Sequence, residues 1–229
     1  MAKPLLLPLR LLRLLVTSLL RLAFQALYYP LAPLYDKIAE IAFLGQWAKW
    51  QRAVLPRLVG KQVLDLGCGT GTLYLELLRW GCVTTGVDAS APMLKQAQRK
   101  IRAAGKTPAL ALAKAYKLPF PDETFTSVVC TFPASYIMEP ETLLEVVRVL
   151  YPGGKLIIVD TAQLHPFNRR ARFLLWLYTQ VLGYGGRPSD NTGYGRFDLL
   201  LREVGLLRRD EMFEDEQGEA HIIVAIKVW

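Results

Sequence analysis

A glycine-rich turn between apolar runs constrains the fold of this chain more than any other feature. It reads VLDLGCGTG from Val63 to Gly71, and TTGVDAS follows from Thr84 to Ser90. The apolar residues before the glycines predict the buried end of a parallel strand, and the glycines let the backbone approach a ligand without Cβ clashes. Asp88 ends the next apolar strand, where nucleotide-binding α/β folds place a carboxylate that accepts the hydroxyls of a ribose. The chain is therefore predicted to bind an adenosine-bearing cofactor.

The spacing of the glycines separates the candidate cofactors. Dinucleotide-binding folds use G-x-G-x-x-G or G-x-G-x-x-A, whereas the turn here is G-x-G-x-G and is followed by Thr72. This spacing suits a ligand that has no pyrophosphate to seat on the helix N-terminus. Together with LPFPDETF at 118–125 and RVLYPGGKLIIV at 148–159, the turn resembles the motifs of the class I S-adenosylmethionine (SAM) methyltransferases. A nicotinamide-binding or flavin-binding domain is the alternative.

Within that superfamily the chain resembles the ubiquinone/menaquinone-biosynthesis type. The resemblance rests on the Tyr35-Asp36 pair and the LGQW stretch at 44–47, and it spans roughly residues 35–160. It implies that the glycine turn surrounds the methionine portion of SAM, that Asp88 binds the ribose and that Ala89 and Met93 flank the adenine. The full set of cofactor-binding residues it implies is Asp65, Gly67, Cys68, Gly69, Gly71, Asp88, Ala89, Met93, Lys114, Ala115 and Thr131.

The chain departs from this family pattern at two positions. Lys114 stands where the family carries an acid that binds the adenine amine, and an ammonium group cannot accept a hydrogen bond. The backbone near Ala115 is then left to bind the adenine. Thr126 likewise replaces an acid that is usual in this region.

The order of apolar periods and turn signals predicts an α/β chain. Strands alternate with helices from residue 62 onward, and a final antiparallel pair follows at 206–213 and 220–228. This alternation predicts a doubly wound, seven-stranded sheet with ligands bound at the carboxyl ends of its strands, and the resemblance implies that it is the Rossmann-like methyltransferase fold. We divide the chain into a basic amphipathic helix at 1–34 and one catalytic domain at 35–229, with an insertion at about 161–195 that acts as a substrate lid.

The N-terminal segment predicts a helix that lies in the membrane interface. Residues 5–27 are mostly apolar but are interrupted by Arg10, Arg13 and Arg21, so no stretch reaches the roughly 18–20 uncharged residues that span a bilayer. On a helical projection the polar and basic residues fall within an arc of about 140°, opposite a wide leucine-rich face. A signal peptide, a tilted spanning helix and a helix packed on its own domain or in a dimer are the alternatives.

The distribution of charge agrees with an anionic membrane surface as a partner. The first sixty residues hold eight Lys and Arg against Asp36 and Glu40, a net charge of +6 out of +8 for the whole chain. Because the basic residues alternate with leucines rather than with exposed aromatic and polar groups, we expect no nucleic-acid partner. The expected location is the cytoplasmic face of the membrane, as a peripheral or monotopic protein.

The insertion after the fifth strand predicts a second basic amphipathic helix. Arg169, Arg172 and Trp176 share one helical face, and Leu174 and Leu175 lie on the other. Aromatic residues of this segment suit the headgroup level of a bilayer, and they are Trp176, Tyr178 and Tyr184. A lid packed on the domain without lipid contact is the alternative.

Cysteine and histidine usage indicates a reducing compartment and no metal site. Cys68, Cys82 and Cys130 have no C-x-x-C spacing and are predicted to be buried thiols. His165 and His221 have no usual zinc-ligand spacing with them, so we expect no metal.

These features predict a SAM-dependent methyltransferase that acts on a lipophilic, membrane-resident acceptor, either a phospholipid headgroup or a quinone-like lipid. Methyl transfer mainly requires near-attack geometry, and a base is needed only for some acceptors. The candidate catalytic residues are His165 as a base and Tyr35 and Tyr136 as pocket walls. A soluble methyltransferase for a polar metabolite or macromolecule, and a non-catalytic SAM-binding membrane module, are the alternatives.

Overall fold

The computed structural model describes Tyr29, residues 31–180 and residues 194–228. Most of the predicted amphipathic helix at 1–34 therefore lies outside the described residues, and so does Tyr184 of the insertion. In the described part, no helix is both long enough and apolar enough to cross a bilayer.

A seven-stranded sheet forms the centre of the described domain, with the strand order β3-β2-β1-β4-β5-β7-β6. The first five strands in the chain run parallel to one another, while β7 pairs antiparallel with both β5 and β6. The predicted doubly wound fold with a closing antiparallel pair is confirmed. The strands are β1 (Gln62–Leu66), β2 (Val83–Asp88), β3 (Leu110–Leu112), β4 (Phe125–Thr131), β5 (Leu150–Leu164), β6 (Leu206–Asp215) and β7 (Gly218–Lys227).

The helices connect these strands and cover both faces of the sheet. They are α1 (Tyr35–Ala42), α2 (Gln46–Arg52), α3 (Thr72–Arg79), α4 (Ala91–Ala103), α5 (Pro140–Val149), α6 (Arg169–Gln180) and α7 (Tyr194–Glu203). Local sequence explains their starts: Ser90 caps α4 by accepting a hydrogen bond from the Met93 amide, and α4 and α5 both carry proline in the first turn.

Successive residues of the central strands enter different core layers. Leu64 packs in a cluster with side chains of α5 and α7, whereas Val63 packs with side chains of α2 and α3. The same alternation separates Val128 from Val129. Because neighbouring side chains of a strand point to opposite faces, an uninterrupted apolar run is what a strand buried on both faces requires. The three cysteines are buried free thiols, as predicted.

The fifth strand is longer than the sequence predicts. The apolar pattern predicts a strand over 155–160, but β5 continues to Leu164 because β7 pairs with it as far as the Leu164–Gly218 pair. An antiparallel partner late in the chain extends the strand, and a local apolar pattern does not contain that information. As a result, the first four residues of the predicted insertion (161–164) belong to the sheet, and α6 begins five residues after the strand ends.

Candidate functional site

The glycine turn joins the carboxyl end of β1 to α3. Its glycines adopt left-handed φ angles, +52° at Gly69 and +78° at Gly71, where a side chain would be strained. A Cβ added at Gly71 would lie 3.1 Å from the Cβ of Ala97 in α4, whereas one added at Gly69 would meet no atom of the described protein within 4 Å. Gly71 is therefore required by packing of the fold, and Gly69 leaves open space above the turn in which a ligand can lie.

Asp88 braces this turn from the end of β2. One carboxylate oxygen accepts a hydrogen bond from the Gly69 amide at 2.8 Å, and the other accepts one from the Ser90 amide at 2.7 Å. Each oxygen keeps a second lone pair, so the predicted contacts with ribose hydroxyls remain available. Burial raises the pKa of the Asp88 carboxyl, although these backbone hydrogen bonds partly oppose the rise.

Asp65 lies in β1 just before the glycine turn, and its surroundings are the most direct indication of a bound ligand. Its carboxyl group is buried, and the Oδ2 atom has no hydrogen-bond partner in the described structure. Burial, and secondarily the charge of Asp88, raises the pKa of Asp65 to about 8. A buried carboxylate without a partner is costly, and a bound cation removes that cost. The α-ammonium group of SAM fits this requirement, so Asp65 and the glycine turn are suited to hold the cofactor.

Tyr136 lies above the turn on the side of β4. A Cβ at Gly67 would come within 2.5 Å of the Tyr136 hydroxyl, and that hydroxyl forms a 3.1 Å hydrogen bond with Cys130. Burial raises the pKa of the Tyr136 phenol far above its ordinary value and raises the pKa of the Cys130 thiol to about 12. Both groups therefore keep their protons at neutral pH, which agrees with a pocket wall and excludes Tyr136 as a general base.

The residues predicted to bind adenine have different surroundings. Ala89 is exposed between Asp88 and the cap of α4, and Ala115 is partly buried against the core. Lys114 is exposed, with its ammonium group 5.5 Å from the centre of the Tyr116 ring. Met93 is fully buried, so in this conformation it supports the site from beneath.

A cluster of aromatic rings walls the entry side of the site. Tyr35 of α1 contacts the edge of Trp47, and Trp47 stacks on Phe132 with the ring centres 4.2 Å apart. Phe132 follows β4 directly and has a φ angle of +51°, a strained conformation of the kind that recurs at functional sites. Thr131 accepts a hydrogen bond from Gln51 of α2 at 3.3 Å. Tyr35 and Thr131 could be identified from the sequence, whereas Phe132 could not, since no local pattern marks a phenylalanine with a left-handed backbone.

A polar network that no sequence motif predicts connects α1 to the glycine turn. The Asp36 carboxylate accepts hydrogen bonds from the hydroxyls of Thr70 at 2.6 Å and Thr72 at 3.2 Å, and from Lys100 of α4 at 2.6 Å. The Tyr35-Asp36 pair was a signal for this region. The partners of Asp36 are distant in sequence, however, and only the fold brings them together.

His165 lies at the other end of the carboxyl edge, beside the β6–β7 hairpin. Its amide donates to the Gln217 carbonyl at 2.8 Å, and its ring lies with the carboxylates of Glu214 and Glu219, the nearest side-chain ligand atoms of all three within 4.8 Å of one another. The contacts found for His165 are thus with the hairpin rather than with the glycine turn. Its role as a base stays a prediction, as does the expectation that the protein uses no metal.

Comparison with known proteins identifies the family of the chain. A family model described as a methyltransferase domain matches residues 64–158. Demethylmenaquinone methyltransferase of Symbiobacterium thermophilum is 35% identical over 217 residues, which cover 81% of this chain and 85% of that protein. Phosphatidylethanolamine N-methyltransferase of Cereibacter sphaeroides is 41% identical over 104 residues, which cover 44% of this chain and 51% of that protein.

A solved structure of a SAM-dependent methyltransferase from Aquifex aeolicus shares the fold. Its TM-score is 0.59 at 20% sequence identity, and the match covers 84% of this chain and 98% of that chain. This likeness shows the fold, while the methyltransferase-domain match and the demethylmenaquinone methyltransferase relative define an enzyme that uses SAM as methyl donor.

The chain belongs to the class I SAM-dependent methyltransferases of the ubiquinone/menaquinone-biosynthesis type. The predicted family, fold, enzyme class and cofactor are confirmed, and the nicotinamide and flavin alternatives are excluded.

Proposed function

We propose that this enzyme is a peripheral membrane methyltransferase on the cytoplasmic face of the bilayer, where it methylates a membrane-resident lipid. The acceptor is either the ring of a quinone-like lipid or the amine of a phospholipid headgroup, the two classes named for its relatives. The observation that carries the proposal is an exposed apolar row on and just before α1, the same helix that contacts the glycine turn.

That row consists of large aliphatic side chains at intervals of three or four residues. Their exposed fractions are 41% for Leu31, 45% for Leu34, 40% for Ile38 and 73% for Ile41. Ile38 and Ile41 lie about one turn apart on α1, which buries Ala39 on another side, and Leu31 and Leu34 come just before that helix. Contiguous exposed apolar surface of this kind marks a protein or membrane contact. The preceding 28 residues continue the composition of leucine and arginine, so a bilayer is the partner that suits both segments.

Cations lie next to the row. A groove of about 420 Å³ separates Tyr29 and Pro33 from α4, and Lys95 and Arg99 line it from α4. Both side chains are exposed, and within the described residues neither forms an ion pair with an acid. Each such cation near an anionic leaflet adds about 1 kcal/mol of attraction, so lipid phosphate groups are suitable occupants of the groove.

The helix α6 adds a third patch of the same character. Phe173 and Trp176 are 60% and 56% exposed, and their rings lie 6.1 Å apart. Exposed arginines precede them at 169, 170 and 172, while Ala171 and Leu175 pack toward the core. A tryptophan ring beside arginines is typical of the headgroup level of a bilayer. This pattern supports contact of the predicted lid with lipid.

The chemistry fits a lipid acceptor that is delivered to the site. SAM supplies a methyl group already activated by its sulfonium charge. The protein therefore mainly has to orient the acceptor and exclude water, as the aromatic wall of Tyr35, Trp47 and Phe132 can do. Tyr136 keeps its proton and can donate a hydrogen bond to an acceptor oxygen or position its carbon skeleton.

Transfer of labelled methyl groups from SAM tests the acceptor. The purified enzyme is incubated with liposomes that contain either a demethylated prenylquinol or phosphatidylethanolamine, and the products are extracted into organic solvent. We expect label in the lipid phase with one of these acceptors, and mass spectrometry of the product identifies it. Label confined to aqueous metabolites or macromolecules of a cell extract would favour a soluble methyltransferase, and no incorporation anywhere would favour a non-catalytic SAM-binding module.

Charge removal from the groove tests the membrane surface separately. We expect the Lys95→Gln/Arg99→Gln double variant to bind vesicles of 30% anionic phospholipid about thirtyfold more weakly in a sedimentation assay, since about 1 kcal/mol is lost for each of the two cations. Arg102→Gln/Lys106→Gln is the matched control, because it removes the same charge from the other end of α4 and the following turn. Equal weakening by both pairs would mean that only net charge matters, and no weakening by either would contradict the proposed surface.

A further inference from the structure

Asp36 connects three parts of the molecule that are far apart in sequence. It belongs to α1, it accepts hydrogen bonds from Thr70 and Thr72 on either side of Gly71, and it pairs with Lys100 of α4 at 2.6 Å. The chain separation is 34 residues to Thr70 and 64 residues to Lys100. One carboxylate thus holds an entry helix, the glycine turn and the next helix together.

The hydrogen bonds of this network form a closed set. The Thr70 and Thr72 hydroxyls donate to Asp36 and accept from the Lys100 ammonium group, at 3.2 Å and 2.9 Å respectively. Each hydroxyl therefore uses its donor and an acceptor lone pair, and Thr70 is only 4% exposed. A closed, charge-assisted network fixes the positions of its members more firmly than single neutral hydrogen bonds do.

The segment held by this network is part of the cofactor site. Thr70 lies between Gly69, whose amide binds Asp88, and Gly71, which packs against α4. The turn has few other side chains to fix it, because glycines contribute none. The side chains at 70 and 72 are therefore the natural means of holding its conformation from outside.

We propose that Asp36 is a positioning residue for SAM: through Thr70, Thr72 and Lys100 it holds the glycine turn in the conformation that receives the methionine portion of the cofactor. It does not touch the reacting atoms. The inference goes beyond the proposed acceptor and membrane contact, and it stands or falls independently of them.

The proposal is tested by using calorimetry to measure how the Asp36→Asn variant binds two ligands. The substitution keeps the size of the side chain and removes the charge that Lys100 pairs with. We expect the dissociation constant of SAM to rise tenfold or more. That of 5′-methylthioadenosine, which has the adenosine but no amino-acid portion, should change less than twofold. A general loss of structure would weaken both ligands together, so the difference between them reports positioning.

Controls separate the charge from its position. Glu40→Gln removes the same charge one turn further along α1. Glu40 lines a small groove with Asp36 and Thr72, but within the described residues its side chain forms no hydrogen bond or ion pair with the glycine turn, so the variant should leave SAM binding within twofold of the wild type. Lys100→Met should weaken SAM binding as Asp36→Asn does, and the double variant should be little worse than either, because members of one network are not additive. Should Asp36→Asn fail to fold in thermal unfolding without ligand, Thr72→Val with Lys100→Met provides the same comparison. Unchanged SAM affinity in folded variants, or equal weakening of both ligands, would overturn the proposal.

Discussion

Asp65→Asn is expected to weaken SAM binding by roughly 100-fold while leaving the protein folded. The wild-type carboxylate is buried beside the glycine turn with one oxygen unsatisfied, and the ligand ammonium group is the cation that completes it. Removal of one partner of a buried charge pair costs about 2–5 kcal/mol of binding, and an asparagine at this position keeps only a neutral acceptor. Calorimetry gives the dissociation constant. Binding within threefold of the wild type would mean that the ammonium group lies elsewhere.

The pKa of Asp65 gives the same interaction a pH signature. Without SAM the carboxyl titrates at about 8, so at lower pH it must lose a proton before it can pair with the ammonium group. Wild-type affinity should therefore improve about tenfold per unit as the pH rises from 6 toward 8. Above that range the α-amino group of SAM itself loses its proton, and the gain should stop. The Asp65→Asn variant should lack the rising limb, which separates this carboxyl from every other titrating group.

The same substitution should make the cofactor-free protein more stable at high pH. The folded-state pKa of Asp65 lies above its ordinary value of 3.8, so the folded state holds a proton that the unfolded state has released. Stability from this group is consequently present below about pH 4 and is lost as the pH rises to about 8. Thermal unfolding of the two proteins at pH 5 and pH 9 provides the measurement. A variant that is less stable than the wild type at pH 9 would contradict the burial of an uncompensated carboxylate.

Two alanine substitutions in the glycine turn should separate folding from cofactor binding. Gly71→Ala forces a side chain into a left-handed backbone and places its Cβ 3.1 Å from that of Ala97. Strain and overpacking together cost roughly 2–4 kcal/mol, which corresponds to a fall of about 5–15 °C in the midpoint of thermal unfolding.

Gly69→Ala should weaken cofactor binding more than it lowers stability. Its Cβ meets no atom of the described protein within 4 Å, so only backbone strain of about 1–2 kcal/mol is expected. The new methyl group projects into the space above the turn, and SAM binding should fall more than tenfold. Comparable losses of stability in the two variants, with cofactor binding retained at position 69, would show that the ligand does not occupy that space.

Much of this architecture could be predicted because local sequence determines it. The glycine turn, the serine cap of α4 and the apolar runs of β1 and β4 are each encoded within a few residues. Strand alternation with helices then leaves a doubly wound sheet as the natural arrangement. The family resemblance extended this to the cofactor, and the acids at Asp65 and Asp88 lie where the motif placed them.

The remainder of the site depends on contacts that no local pattern contains. Asp36 meets its partners only after α1 folds back on the turn, and the length of β5 is determined by β7 near the C-terminus. Tyr136 was identified as a wall residue, but its place over Gly67 follows from the 3₁₀ turn at 135–138. His165 shows the same dependence. Its place after the fifth strand could be predicted from the sequence, but its neighbours in the β6–β7 hairpin could not.

The strand order has a consequence for how copies of this protein meet one another. Of the strands described, the sheet ends on one side at β3, which has only three residues, and on the other at β6. The edge strand β6 carries RRDE at 208–211. Arg208–Asp210 and Arg209–Glu211 are ion pairs within the strand, and Asp210 and Glu211 also pair with His221 and Arg57. The short edge strand β3 and the charged edge strand β6 are poor templates for pairing with strands of another molecule. We therefore expect that many copies of the protein close together in one plane will not polymerise by pairing their edge strands.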